Sequence, residues 1–156
     1  MEQIVKELHD IIEKYSHAIA AIPEAEFSHK PLPTKWSRKE VLGHLIDSGH
    51  NNLRRFVCGQ YETTPPHIIY EQDFWVKTNG YQHATAENVL ALWELVNLQI
   101  IAVLRTMPAA HYSRTCNTGR QSDELHSLQW LAADYVKHLK HHINQIIPGS
   151  FDSKYP

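Results

Sequence analysis

The amino-acid sequence predicts an all-α fold, a bundle of four main helices with a long loop between the second and the third. Three observations carry the prediction. Apolar residues recur at three- and four-residue spacing in four separate stretches, proline punctuates the end of each, and no stretch alternates apolar with polar residues as a half-buried strand does. With 156 residues, 42% of them hydrophobic, one domain can bury roughly 70% of the surface its unfolded chain exposes.

The first helix places Ile4, Leu8, Ile11, Ile12, Tyr15 and Ile19 on one stripe and ends before Pro23. Pro31-Leu32-Pro33 is an extended connector, because proline disfavours helical geometry in the residue before it. The second helix opens on the capping box Ser37-Arg38-Lys39-Glu40, with Trp36 and Val41 able to form the hydrophobic staple, and runs to about Gly59. Thr63-Thr64-Pro65-Pro66 cannot continue it, and Pro66 to Gly80 reads as an ordered loop whose Tyr70, Phe74 and Trp75 serve as a lid or a core plug. The third helix starts near Thr85, carries Val89, Trp93, Val96, Ile100, Val103 and Met107 inward, and stops at Pro108. Cys116 to Gln121 is turn-like. From about Ser127 the fourth helix turns Leu128, Leu131, Tyr135, Leu139 and Ile146 to the core and ends at Pro148-Gly149. Residues 1–150 thus form the bundle domain and residues 151–156 a flexible tail.

Composition narrows the function classes. A net charge of −2 supplies no general attraction to phosphate backbones or anionic lipid, so neither nucleic acid nor membrane is an expected partner. Two separated cysteines, Cys58 and Cys116, make neither a disulfide framework nor a thiolate zinc site and suit a reducing, cytoplasmic setting. The first residues carry charge every few positions and lack a signal-peptide core, and no segment is uniformly apolar over a membrane span.

Histidine is abundant, with twelve residues. His138 and His142 lie four apart, on one helix face, where both imidazoles can reach one metal ion. About one such pair is expected by chance at this abundance, so direction matters more than spacing. At about 100° per residue the two point within roughly 60° of Leu131 and Tyr135, into the apolar stripe. Buried imidazoles need partners, and a metal satisfies both together. On the second helix His44 heads a line that continues through Ser48, Asn51 and Arg55, bordered by Val41, Leu45 and Phe56, as in the wall of a polar cavity. His44 is a candidate third ligand; a half-buried histidine bonded to a carbonyl or a tyrosine is the alternative. His141 lies beside the ligand face and His50 on the far side of its helix.

Trp36-Ser37, Glu40-Val41-Leu42-Gly43-His44-Leu45-Ile46-Asp47, Tyr70-Glu71-Gln72-Asp73-Phe74-Trp75 and His138-Leu-Lys-His141-His142-Ile-Asn-Gln-Ile146 together resemble the DinB and YfiT-like superfamily over nearly the whole chain. The resemblance implies a four-helix bundle with a three-histidine metal site on His44, His138 and His142. It also implies one divalent ion, nickel or zinc above others, and activities that include thiol-dependent transfer with a low-molecular-weight thiol cosubstrate and hydrolysis. The turn Cys116-Asn117-Thr118-Gly119 departs from the histidine- and proline-bearing turn of YfiT-like members, so their substrate does not transfer with the fold.

The expected function is a metal-dependent enzyme that activates a thiol or water against a small molecule, with thiol transfer slightly ahead of hydrolysis. Ser48, Asn51 and Arg55 are the expected substrate contacts, Arg55 for the far end of an elongated anion, and Glu71 or Asp73 would assist proton transfer if the loop folds over the site. The alternative is a non-catalytic metal- or ligand-binding bundle, a homodimer through exposed apolar helix faces. Protonation of ordinary imidazoles would weaken metal binding as the pH falls through about 6.5.

Overall fold

A computed structural model describes residues 1–152 of the chain. The four main helices are α1 (Glu2–Ala20), α3 (Arg38–Tyr61), α5 (Ala86–Thr106) and α6 (Leu128–Ile146). Two short helices lie between them, α2 (Glu24–Phe27) and α4 (Gln72–Asn79). The principal contacts, α3 with α5, α5 with α1, α1 with α6 and α6 with α3, close a ring. Consecutive main helices α1 and α3 therefore occupy opposite corners, which the long connector across residues 21–37 makes possible.

The start of α3 follows its sequence signal atom for atom. Ser37 Oγ accepts from the Glu40 amide at 3.1 Å and Glu40 Oε2 accepts from the Ser37 amide at 2.8 Å, satisfying two orphan donors of the first turn. Ser127 caps α6 in the same way, accepting from the Trp130 amide. The apolar stripes meet in one core: Leu8, Ile12 and Tyr15 of α1, Leu42, Leu45 and Phe56 of α3, Val89, Trp93 and Ile100 of α5, and Leu131, Leu139 and Ile143 of α6 are buried. By length and composition alone α5 would pass as a membrane span, although Glu87, Glu94 and Arg105 keep it from being uniformly apolar. Its inner face is instead core, while Leu92, Leu95 and Leu98 stay exposed.

Three features depart from the sequence expectation. The loop after α3 contains α4, which buries only Val76 and so shows no apolar stripe to read, and which ends on Gly80 at φ 65°, a conformation suited to glycine. Thr115–Asn117 and Leu125–Ser127 form a two-stranded antiparallel ribbon, β1 and β2, each too short for alternation to register. Asn117 organises the turn between them, its Oδ1 accepting from the amides of Gly119 and Glu124 at 3.0 Å each. The loop leans on the same strand, with the Asn117 amide donating to Pro66 O at 2.9 Å and the Ile68 amide to Asn117 O at 3.1 Å. Lastly, the tail begins tied down: Phe151 exchanges two hydrogen bonds with the Asn144 side chain, and Tyr15 Oη donates to Ser150 O. The rest of the expected tail, residues 153–156, lies outside the described residues.

Candidate metal centre

α3 and α6 pack side by side in the bundle, and they bring together His44, six residues after the start of α3, and His138 and His142, eight and four residues before the end of α6. His44 is 1% exposed, and its Nε2 lies 3.2 Å from His138 Nε2. His142 Nε2 lies 3.1 Å from the same His138 atom. One ligand atom from each of the three falls within 4.8 Å of the other two. A divalent ion about 2.0–2.1 Å from two nitrogens separates them by roughly 2.9 Å at a right angle and roughly 3.3 Å at the tetrahedral angle, so the spacing suits a common ion.

Proton counting points the same way. A neutral imidazole has one N–H, and His138 Nε2 cannot donate to both neighbours. Gln145 Oε1 lies 3.0 Å from His142 Nδ1, which places that ring's proton on Nδ1 and leaves the Nε2 lone pair facing the other histidines. His44 Nδ1 is buried without a hydrogen-bond partner, as its neutral ring packs beside Trp36 at 5.1 Å between centroids. Burial, reinforced by the neighbouring His142, pushes His44 down to about 3. Burial lowers His142 to about 4, and burial with the flanking imidazoles holds His138 well below its ordinary value. The three imidazoles are therefore neutral at physiological pH, and their protonation moves from the expected 6.5 toward 4 or below. Three imidazoles without a thiolate or carboxylate leave coordination positions for a further group.

A cavity of about 790 Å³ opens beside His142, with Trp36, Val41, Gln72, Asp73 and Gln145 on its wall and Lys35 and Arg38 also lining it. Both loop carboxylates are exposed; Asp73 lines this wall, whereas Glu71 accepts from Arg120 Nη1 at 2.7 Å. Ser48 Oγ lies 3.5 Å from His138 Nδ1. Asn51 is 1% exposed, donates to Asp47 O at 2.9 Å and leaves its Oδ1 unpartnered. The Arg55 guanidinium is turned to the loop, with Nε and Nη2 donating to Ile68 O at 3.2 and 2.7 Å and Nη1 to Asn52 Oδ1 at 3.2 Å.

Four residues near the centre escape a sequence reading. Gln145 carries a signal, three residues after His142 on the same face. Trp36 registers only as a staple residue. Tyr70 is the loop aromatic that turns inward, its phenol beside Ser48 and burial raising its pKa, while Phe74 is 68% exposed. Asp47 is fully buried, and its Oδ1 accepts from Tyr81 Oη and Asn79 Nδ2 at 2.7 Å each. Burial raises its carboxyl to about 6, against the lowering effect of those two bonds.

Comparison with known proteins shows the same fold elsewhere. YfiT of Bacillus subtilis (strain 168), a proposed metal-dependent hydrolase, is 25% identical over 142 residues, covering 91% of this chain and 79% of that protein. The solved YfiT structure, described as having an unusual four-helix bundle topology, superimposes with a TM-score of 0.82 over 93% of this chain and 82% of that one, at 24% identity. GK0616 of Geobacillus kaustophilus (strain HTA426), also named for proposed metal-dependent hydrolysis, is 29% identical over 111 residues, 71% of this chain and 62% of that protein. A mycothiol-dependent maleylpyruvate isomerase shares the fold at a TM-score of 0.74 and 12% identity, over 91% of this chain and 59% of the isomerase. The family model of the DinB superfamily matches residues 7–146, nearly the whole bundle with all three converging histidines, and the chain belongs to that superfamily.

Proposed function

We propose that this chain is a metal-dependent enzyme acting on a small molecule, with His44, His138 and His142 holding one divalent ion, Ni²⁺ or Zn²⁺. The observation that carries the reading is the convergence of three neutral imidazoles, His44 buried and His138 and His142 half-buried, beside a cavity of about 790 Å³. Such an ion supplies Lewis acidity, lowering the pKa of a water or thiol and polarising an electrophile. The chain's own residues would fix the His142 tautomer through Gln145, pack Trp36 against His44, and place Asp73 at the cavity wall as a proton acceptor.

Hydrolysis moves ahead of thiol transfer, because both sequence relatives carry a hydrolase name over most of this chain, whereas likeness to the thiol-dependent isomerase is one of fold. Thiol transfer is the second reading, and a cavity of this size admits a thiol cosubstrate. The homodimer expectation finds support in Leu92, Leu95 and Leu98, exposed along the outer face of α5.

The test is elemental analysis of protein purified without an affinity tag, beside the triple variant His44→Ala, His138→Ala, His142→Ala. About one ion per wild-type chain and none in the variant is the expected result; equal metal in both sinks the assignment. Calorimetry with a panel of cellular thiols on metal-loaded and metal-stripped protein then separates the two reactions, since metal-enhanced thiol binding is required for transfer and not for hydrolysis.

A further inference from the structure

We propose that Ser48, backed by Asn52 and Arg55, is a positioning residue for His138, and that this chain of hydrogen bonds ties the orientation of the imidazole to the loop covering the site. The proposal rests on the metal reading above. It gives Ser48 and Arg55 a task other than the substrate contact that their place on the helix suggests.

His138 stands between the other two histidines. Its Nε2 faces His44 Nε2 at 3.2 Å and His142 Nε2 at 3.1 Å, so for all three to offer lone pairs to one ion its proton must sit on Nδ1. A buried N–H needs an acceptor, and in metal sites the partner of the second ring nitrogen sets both the tautomer and the ring angle. Ser48 Oγ stands 3.5 Å from Nδ1, at the outer edge of hydrogen-bond reach, on a side chain that is 4% exposed.

What fixes Ser48 lies further along α3. Asn52 Nδ2 donates to Ser48 O at 3.0 Å and to Ser48 Oγ at 3.3 Å, which leaves Asn52 Oδ1 to accept from Arg55 Nη1 at 3.2 Å. Arg55 in turn clasps Ile68 O with Nε and Nη2. Every direction agrees. Arg55 donates to Asn52, Asn52 donates to Ser48, and the Ser48 oxygen has its second lone pair for His138 Nδ1 and its own proton for the Tyr70 phenol beside it. Ile68 and Tyr70 belong to the segment that covers the site, and Ile68 is itself held by Asn117. Opening that segment removes the acceptor of Arg55 and loosens the series that ends on a metal ligand.

The test titrates metal-stripped, full-length protein with Co²⁺ alone, following affinity by calorimetry and the ligand field by the visible spectrum of the bound ion. Ser48→Ala is expected to bind Co²⁺ roughly 10- to 100-fold more weakly, the usual cost of losing such a partner, with displaced d–d bands. Arg55→Gln, at a partly exposed position, should show a smaller loss in the same direction and decides the matter if Ser48→Ala fails to fold. Ile12→Val, a core change distant in the chain from these residues, should bind as wild type does. If Ser48→Ala and Arg55→Gln match wild type in affinity and spectrum while His138→Ala loses binding, the positioning role is overturned and the metal site stands. If Ile12→Val weakens binding as much as Ser48→Ala, the effect is general loosening and the proposal falls. If wild-type protein does not bind Co²⁺, the metal reading and the proposal fall together.

Discussion

Replacing Asp47 by asparagine should stabilise the metal-stripped protein near neutral pH and lose that advantage in acid. Asp47 is fully buried, with Tyr81 and Asn79 as neutral donors to Oδ1 and no partner for Oδ2. Burial raises its carboxyl from 3.8 to about 6. A folded-state pKa above the unfolded value means that the folded protein holds the proton more tightly. The stability linked to that proton is complete below about 3.8 and is lost as the pH rises through about 6. Two pH units at about 1.4 kcal/mol each amount to about 3 kcal/mol, of which about 2 kcal/mol falls between pH 4.5 and 7.5. Asparagine keeps the oxygen that Tyr81 and Asn79 use and carries no charge. The assay is urea unfolding of wild-type protein and Asp47→Asn, both with chelator, across that range. Taking the difference cancels the histidines, which titrate alike in both. The stability of the variant should gain about 2 kcal/mol on wild type as the pH rises. Parallel profiles, or a wild type that gains on the variant, would mean that a cation compensates the Asp47 carboxylate and that its charge is not isolated.

Three further outcomes follow from the same geometry. At free metal a hundredfold above Kd the bound ion adds about 2.7 kcal/mol, so a chelator should lower the melting temperature by roughly 5–10 °C for a chain of this size; a melt unchanged by chelator contradicts a folded-state metal site. Without metal, the triad makes the fold acid-sensitive. His44 at about 3 and His142 at about 4 lie below the ordinary 6.5, so the stability they contribute is full above 6.5 and drains as the pH falls toward 4; a chelated protein as stable at pH 4.5 as at pH 7.5 counts against buried neutral imidazoles. Gly43→Ala should cost about 1–3 kcal/mol by overpacking, because a methyl there would enter the Tyr81 ring that Asp47 holds in place. Denaturant unfolding within about 0.5 kcal/mol of wild type would show that the ring is free to move.

The parts of the fold legible in the sequence are those that a helix encodes locally. Ser37 and Glu40 announce their cap because both partners lie within one turn, and His138 and His142 share a face by spacing alone. His44 is 94 residues from His138 along the chain, and the residues alone leave its ligand role open; its place in a polar line, and the resemblance of the surrounding motif, bring it into the set. What stays hidden depends on backbone groups distant in sequence. Nothing in the identity of Ile68 says that its carbonyl will engage Arg55, and a helical wheel that aims Arg55 along the His44 line cannot name the acceptor that claims it. Helix α4 and the β1–β2 ribbon are invisible for a related reason, since neither buries enough side chain to impose a period.

These hidden elements form the cover of the site. Tyr70, Asp73, Asn79 and Tyr81 come from the segment between α3 and α5, and they reach Ser48, the cavity wall and Asp47 respectively, with Asn79 and Tyr81 sharing the last. The proposed metal ligands sit on two long helices packed into the core, while the cover is fastened by polar contacts to Asp47 and Arg55 of α3 and to Asn117 of β1. Helix-borne ligands with a polar-latched cover would divide the work physically. If the histidines hold an ion as proposed, the helices would set what it can do, and the cover, attached through loop contacts, would set which small molecule reaches it. Variation in the covering segment should therefore change substrate choice at constant metal content, and exchanging residues 66–80 for the corresponding segment of YfiT tests this directly. Unchanged metal stoichiometry with a changed substrate profile is the expected result; loss of the ion on exchange would show that the cover belongs to the metal site itself.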